Sequence, residues 1–294
     1  MNSTGNLSQP NNIKPPYYNL IFVFSLQLLI NIFYRTITPM TINYKIYCLN
    51  YDSPKRREDM QERFNKLNIS PDNCVFYPGV SPDDPRISGQ PFTRDHEHYK
   101  RVWSMAWGHL DMISLFLNDT SVSHGIFCED DIYIHKYFSQ FIYDTIIDFD
   151  NLKIDILLLG YLINHQIDST HTDFKEINLK NKYNLISKYF SYPHHLWGTQ
   201  MYLISKAYAQ QIIDTFTLEY AVTTLTNSSI NPFSSDHTIT KPLDEKKRAL
   251  IWPPFACENN TTSLSYYTEY DSTNIQYNYH MSCSNFTYSP HKMI

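Results

Sequence analysis

Gly125-Ile126-Phe127-Cys128-Glu129-Asp130-Asp131-Ile132 is a short apolar run that ends in three consecutive carboxylates. A run of that length and composition reads as a buried strand, and three acids at its end cannot share a dry environment without a cation. Side chains alternate along an extended chain, so Glu129 and Asp131 are expected on one side and Asp130 on the other. Two oxygen ligands two residues apart at a strand end make half a site for Mn²⁺ or Mg²⁺, with substrate phosphates and water completing it. A solvated acidic turn is the plainer alternative, and the apolar strand ahead of the acids argues against it.

Working outward, Tyr44 to Leu49 reads as a first strand, and Asp52 or Ser53 then caps a helix with Pro54 in its first turn. Met60, Phe64 and Leu67 give that helix a buried face. Lys55, Arg56 and Arg57 cluster at its start, against the helix dipole, which an anion contact explains as well as a solvated charge run does. Cys74 to Tyr77 reads as a second strand, and a Pro/Gly/Asp loop leads to a long helix from about Tyr99 to Leu117. Trp103, Ala106, Leu110, Ile113 and Leu117 form its apolar stripe, and His109 beside the stripe reads first as a satisfied core histidine.

Downstream, Lys136 to Phe149 is expected to be helical and Ile154 to Gly160 to be a continuous apolar strand of the kind that suits a parallel sheet. Residues 161–193 are polar and irregular and read as an insertion or lid. Gln200 to Ile204 is expected as a strand, followed by a helix capped by Ser205 with Ala209, Ile212, Ile213 and Phe216 inward. Alternating strands and helices predict an α/β fold with a mainly parallel central sheet and ligands at the carboxyl ends of its strands. Beyond about residue 218 the pattern loosens: Ser234-Ser235-Asp236-His237 precedes a short helix, and Ile251 to Phe255 reads as a return strand or edge.

The 294 residues, 42% hydrophobic and 18% charged, suffice for one large domain or two small ones. A net charge of -5 leaves no electrostatic footprint for nucleic acid. The five cysteines lack C-x-x-C spacing, which argues against zinc and against a disulfide framework. Three regions are expected: a polar leader, 1–39, with an apolar segment at 20–33; a main domain, 40–257; and a Tyr/Asn-rich tail, 258–294. As a helix the apolar segment would span roughly 21 Å at 1.5 Å per residue, short of the ~30 Å hydrocarbon core. Two locations stay open, a membrane-anchored enzyme of the secretory pathway held through 20–33, and a cytoplasmic enzyme with a dispensable leader.

The chain contains no G-x-G-x-x-G, P-loop or G-x-S-x-G motif, which removes the main sequence support for dinucleotide oxidoreductases, P-loop NTPases and α/β-hydrolases. What remains is the carboxylate cluster, the basic helix start and a second acidic point at Asp236. That combination suits a nucleotide diphosphate whose charge a metal offsets, while a separate carboxylate activates an attacking hydroxyl. Asp236 is the candidate base, with an N-cap role as its alternative.

The order of motifs resembles glycosyltransferase family 25, which includes lipooligosaccharide and procollagen-type galactosyltransferases. The resemblance runs through Cys48-Leu49-Asn50, Arg56-Arg57-Glu58-Asp59-Met60, Trp107-Gly108-His109-Leu110, Phe127 to Ile132, Gly198 to Ser205 with Ala209, Ser235-Asp236 and Pro253-Pro254-Phe255. It covers roughly residues 44 to 257 and departs from the family at Gly108, where serine is usual. It implies a GT-A-like fold, a UDP-sugar donor and a divalent cation, Mn²⁺ before Mg²⁺. By matching positions, Asp131 and either Asp130 or Glu129 would carry the metal and diphosphate, and His237 or His280 could supply the further metal ligand that such folds take from late in the chain. Asn50 and Arg57 would line the nucleotide end, with His109 near the same pocket. The expected activity is metal-dependent transfer of a hexose, galactose or glucose, to a glycan or protein hydroxyl with inversion. A metal-dependent hydrolase of phosphorylated compounds and an inactive transferase-like binding domain are the alternatives.

Overall fold

The computed structural model of the chain describes residues 42–92, 96–163, 165, 167, 172–241 and 244–259, all within a unit that begins at Ile42. The expectations for the leader, the segment 20–33, His280 and the tail from residue 260 on lie outside the described residues. Among the described residues, no helix is long and apolar enough to cross a membrane.

Among the described residues, nine strands form one sheet: β1 (Tyr44–Leu49), β2 (Cys74–Tyr77), β3 (His124–Glu129), β4 (Ile132–Ile134), β5 (Ile156–Gly160), β6 (Lys188–Phe190), β7 (Met201–Ser205), β8 (Arg248–Trp252) and β9 (Ala256–Glu258). The main path is β2-β1-β3-β7-β5-β8-β6. Parallel pairing joins β1 to β2 and β3, and β5 to β8, while β7 runs antiparallel between β3 and β5. The helices are α1 (Pro54–Lys66), α2 (Pro85–Ser88), α3 (His96–Asn118), α4 (Phe138–Leu152), α5 (Lys206–Thr215), α6 (Leu218–Thr224) and α7 (Ser235–Thr238). The α/β class with a mostly parallel central sheet expected from the sequence is the one the chain has, with the qualification that β7 is reversed. Residue pattern alone does not give a strand's direction, because a buried apolar run looks the same read either way.

Side-chain alternation splits the core into two halves, one on each face of the sheet. Tyr47, Phe127 and Tyr202 lie on one face with Trp103, Leu110 and Ile113 of α3. Ile46, Cys48, Ile126 and Cys128 lie on the other with Met60 and Phe64 of α1 and Phe138, Ile142 and Ile146 of α4. Tyr47, Phe127 and Tyr202 are register partners on β1, β3 and β7, and their rings stack at 5.1 and 5.2 Å between centroids. Each such pair contributes about 0.5–1.5 kcal/mol beyond the area it buries. This ladder fixes β1, β3 and β7 to one another beneath their functional ends.

Local signals decide the helix starts. Ser53, not Asp52, caps α1, its Oγ accepting from Arg56 N at 3.4 Å, and Ser205 caps α5 by accepting from Tyr208 N at 3.1 Å. The described part of 161–193 is built into the sheet edge: β6 pairs with β8, and the buried Asp148 of α4 accepts from Tyr183 N, Asn184 N and the Tyr189 hydroxyl. These bonds would have to part for residues 183–189 to move as a lid. The four described cysteines are free thiols.

Candidate functional site

The carboxyl end of β3 lies beside that of β1, which pairs with β2 on one side and β3 on the other. In open α/β sheets the crevice at such a point receives ligands. Glu129 closes β3, the chain bends at Asp130 and Asp131, and β4 starts at Ile132. Arg56 reaches both Asp130, Nη1 to Oδ1 at 3.3 Å, and Asp131, Nη1 to Oδ2 at 3.5 Å. Glu129 instead turns toward β7, accepting from Thr199 Oγ1 at 2.7 Å. Arg56 therefore contacts both aspartates, while Glu129 is also bonded to Thr199 and is still the largest charge acting on Asp131.

Asn50, at the end of β1, donates from Nδ2 to Asp130 Oδ2 at 2.5 Å and to the Ser53 carbonyl at 2.9 Å, tying the acids to the start of α1. Burial raises the Asp130 carboxyl above its ordinary range, and the Asn50 hydrogen bond and Arg56 act against that rise. Asp131 is pushed up further, by burial first and then by the charges of Glu129, Glu258 and Asp130, with Arg56 opposing. Among the described residues its buried Oδ1 has no hydrogen-bond partner. Glu258 arrives through β9, which pairs with β4 so that Glu258 opposes Ile132, while Asn259 N donates to the Asp131 carbonyl at 2.7 Å. Nothing local in the sequence pointed to Glu258, because a pairing between segments far apart in the chain brings it to the site.

Arg57, expected at the nucleotide end, lies instead over the Phe76 ring, 5.0 Å from its centroid. Successive helical residues point about 100° apart, so only one of the two arginines can face the acids, and it is Arg56. His109 is fully buried on α3. Its Nδ1 shares a 2.9 Å hydrogen bond with the Tyr202 hydroxyl, and its Nε2 stands 3.7 Å from Glu129 Oε1. It backs Glu129 from inside the core, where among the described residues its Nε2 has no hydrogen-bond partner. A Cβ on the neighbouring Gly108 would meet Leu49 Cδ1 at 2.8 Å, so a serine there requires Leu49 to turn aside.

Asp236 lies in α7, where Ser234 occupies the N-cap position, so the N-cap alternative does not apply to it. Its Oδ1 accepts from Gly198 N at 2.8 Å, while the adjacent Ser235 Oγ stands 3.4 Å from Thr199 Oγ1. Burial raises its carboxyl above the ordinary range, the Gly198 N–H counters this, and the Glu129 charge adds to the rise. Asp236 and Glu129 thus flank the Gly198-Thr199 backbone. Thr199 is the joint between them, and the sequence reading had assigned it no role. His237 faces elsewhere. Burial, Lys241 and His194 lower its pKa, and its ring stands 6.0 Å from that of His194.

Among the described residues no three His, Cys, Asp or Glu side chains converge as a ready metal set. The donor chemistry nonetheless fits a hard divalent cation. The acids at the β3 end offer oxygen alone, and the orphaned Asp131 Oδ1 is a buried acceptor that a cation would satisfy. Asp130 and Asp131 are the residues that would hold it.

No family model matches the chain, and no curated protein matches it. Similar solved structures include A197 from STIV (10% identity, 71% of this chain and 81% of that chain, TM-score 0.34). A mannose-1-phosphate geranyltransferase from Thermus thermophilus (11%, 72% and 74%, 0.36) is another. A third is a glycosyltransferase involved in glycosylation of the major capsid of PBCV-1 (10%, 70% and 80%, 0.34). At these values the likeness is one of outline, and none of their chemistry carries over to this chain.

Proposed function

We propose that the chain is a nucleotide-sugar-dependent glycosyltransferase that binds the donor diphosphate at Asp130 and Asp131 and activates an acceptor hydroxyl with Asp236. The observation that carries this reading is the split of the acids at the end of β3. Asp130 and Asp131 face Arg56 as an anion and cation site. Glu129 and Asp236 flank Thr199 and Gly198 a short step away.

A divalent cation, Mn²⁺ or Mg²⁺, would offset the diphosphate charge and stabilise the leaving nucleoside diphosphate. Asn50 and Arg56 hold the acids in place. Asp236 has one oxygen fixed by the Gly198 N–H. A carboxylate with a raised pKa is better matched to taking a proton from a hydroxyl near neutrality than an ordinary surface aspartate is. Attack by that hydroxyl on the sugar C1, opposite the departing diphosphate, gives inversion. Donors carrying UDP with galactose or glucose are the first to test, with glycan and protein hydroxyls as acceptors.

The test is turnover of a panel of UDP-sugars with added Mn²⁺, comparing wild type with Asp131→Ala. Turnover should fall by a factor of about a thousand if the loss of diphosphate stabilisation resembles that of other charge-stabilising groups. Equal activity in the variant, or in EDTA, would reject the assignment. Asp236→Asn should keep UDP binding and lose transfer, and unchanged transfer would reject its role as base.

A further inference from the structure

Trp197 is the residue before Gly198, and it is 37% exposed although both Leu196 and Gly198 are buried. The backbone around it is pinned on every side. Lys241 Nζ donates to the Leu196 carbonyl, Leu162 N donates to the Trp197 carbonyl at 2.9 Å, and Gly198 N donates to Asp236 Oδ1 at 2.8 Å. Gly198 also leaves no room to shift, since a Cβ there would meet Tyr161 Cβ at 2.7 Å. A large ring with a solvent-facing surface is thus held by a fixed backbone one residue from the group that contacts Asp236.

We infer that Trp197 is the platform on which a pyranose ring of the acceptor lies, so that the acceptor is a glycan and not a protein side chain. The inference rests on the transferase reading and names the acceptor that reading left open. A pyranose presents a face of C–H groups that packs against an indole, while its hydroxyls need partners at the edge. The edge is supplied nearby. His237 follows Asp236 directly, and its ring stands 6.0 Å from that of His194, which is exposed three residues before Trp197. Burial, then Lys241 and His194, lower the His237 pKa, and a neutral imidazole both donates to and accepts from hydroxyls. On this inference His237 serves the acceptor and not the metal. Rigidity matters to the energetics, because a ring carried on a fixed backbone loses less conformational entropy when a sugar stacks on it than one on a mobile loop.

The experiment measures binding of methyl β-D-galactopyranoside, methyl β-D-glucopyranoside and methyl α-D-mannopyranoside by saturation-transfer NMR. The full-length protein is held with UDP and Mn²⁺, and UDP affinity is measured in parallel. Wild type should bind at least one glycoside through its C–H face. Trp197→Ala should weaken that binding at least tenfold and Trp197→Phe by no more than about threefold, with UDP affinity unchanged in both, as expected for loss of one stacking surface. UDP binding with equal glycoside affinity in Trp197→Ala would overturn the platform alone, as would UDP binding with no glycoside bound by wild type. Failure of wild type to bind UDP would overturn the transferase reading and the platform with it.

Discussion

The backbone N–H of Gly198 donates to Oδ1 of Asp236 at 2.8 Å, joining the loop before β7 to α7 at the point where the second carboxylate of the site is held. Replacing Gly198 by alanine would set a Cβ 2.7 Å from Tyr161 Cβ and 3.3 Å from the Gly160 carbonyl oxygen, so the backbone must shift and the hydrogen bond with it. Gly198→Ala should cost about 1–3 kcal/mol of stability, as overpacking of a tight site does. Sugar transfer should fall at least tenfold while UDP affinity holds. Denaturant melts and steady-state transfer assays read the two effects separately.

Arg56 and Arg57 are neighbours with different work. Arg56→Ala removes the cation that opposes the rise in Asp131 and leaves two buried carboxylates less compensated. UDP affinity at fixed Mn²⁺ and the thermal midpoint in EDTA should both drop, the latter by an amount equivalent to about 1–3 kcal/mol. Arg57→Ala loses its position over Phe76 and should change UDP affinity less than about twofold. Equal effects of the two variants on UDP affinity would contradict the placement.

That contrast marks how far the residues alone could be read. The strand at β3, the helices capped by Ser53 and Ser205 and the α/β alternation were legible because each depends on local pattern. Which arginine meets the acids was not, since Arg56 and Arg57 both lie at helical spacing from Met60 and Phe64 on the buried face of α1. The bend after Glu129, where β3 ends and β4 has not begun, is not marked by any local pattern. Glu258 and the reversal of β7 depend on pairings between distant segments, which composition does not encode.

Tyr202 carries the aromatic ladder to the site, because its hydroxyl bonds His109 Nδ1 at 2.9 Å in the buried core. Tyr202→Phe keeps the stacked ring and leaves an imidazole nitrogen unpaired. The expected cost is about 1–3 kcal/mol, read as a lowered midpoint in urea, with donor affinity little changed.

Lys241 is buried behind Asp236, and burial, together with Arg248, depresses its pKa to about 8 in spite of the Asp236 charge. The unfolded chain would hold that proton up to about pH 10.4. Between these values the unfolded state binds more protons, so stability rises with pH, and that gain is lost as pH falls back to about 8. Urea midpoints for wild type minus Lys241→Met should therefore climb between about pH 8 and about pH 10. A flat difference would contradict the depressed pKa.

Asp131 is held among like charges with an unpaired buried oxygen, an arrangement that favours binding over stability. In EDTA, Asp131→Asn should melt higher than wild type, because the substitution removes charge repulsion and a buried ionised group. Added Mn²⁺ with UDP should raise the midpoint of wild type and leave that of the variant in place.

The most direct measurement is calorimetric titration of UDP into wild type and Asp131→Asn, each with and without Mn²⁺. Binding to wild type that requires Mn²⁺ and weakens about a hundredfold or more in the variant is the expected result, corresponding to about 2.7 kcal/mol. Failure of wild type to bind millimolar UDP at saturating Mn²⁺, or equal binding by Asp131→Asn, would contradict a donor diphosphate site at the end of β3.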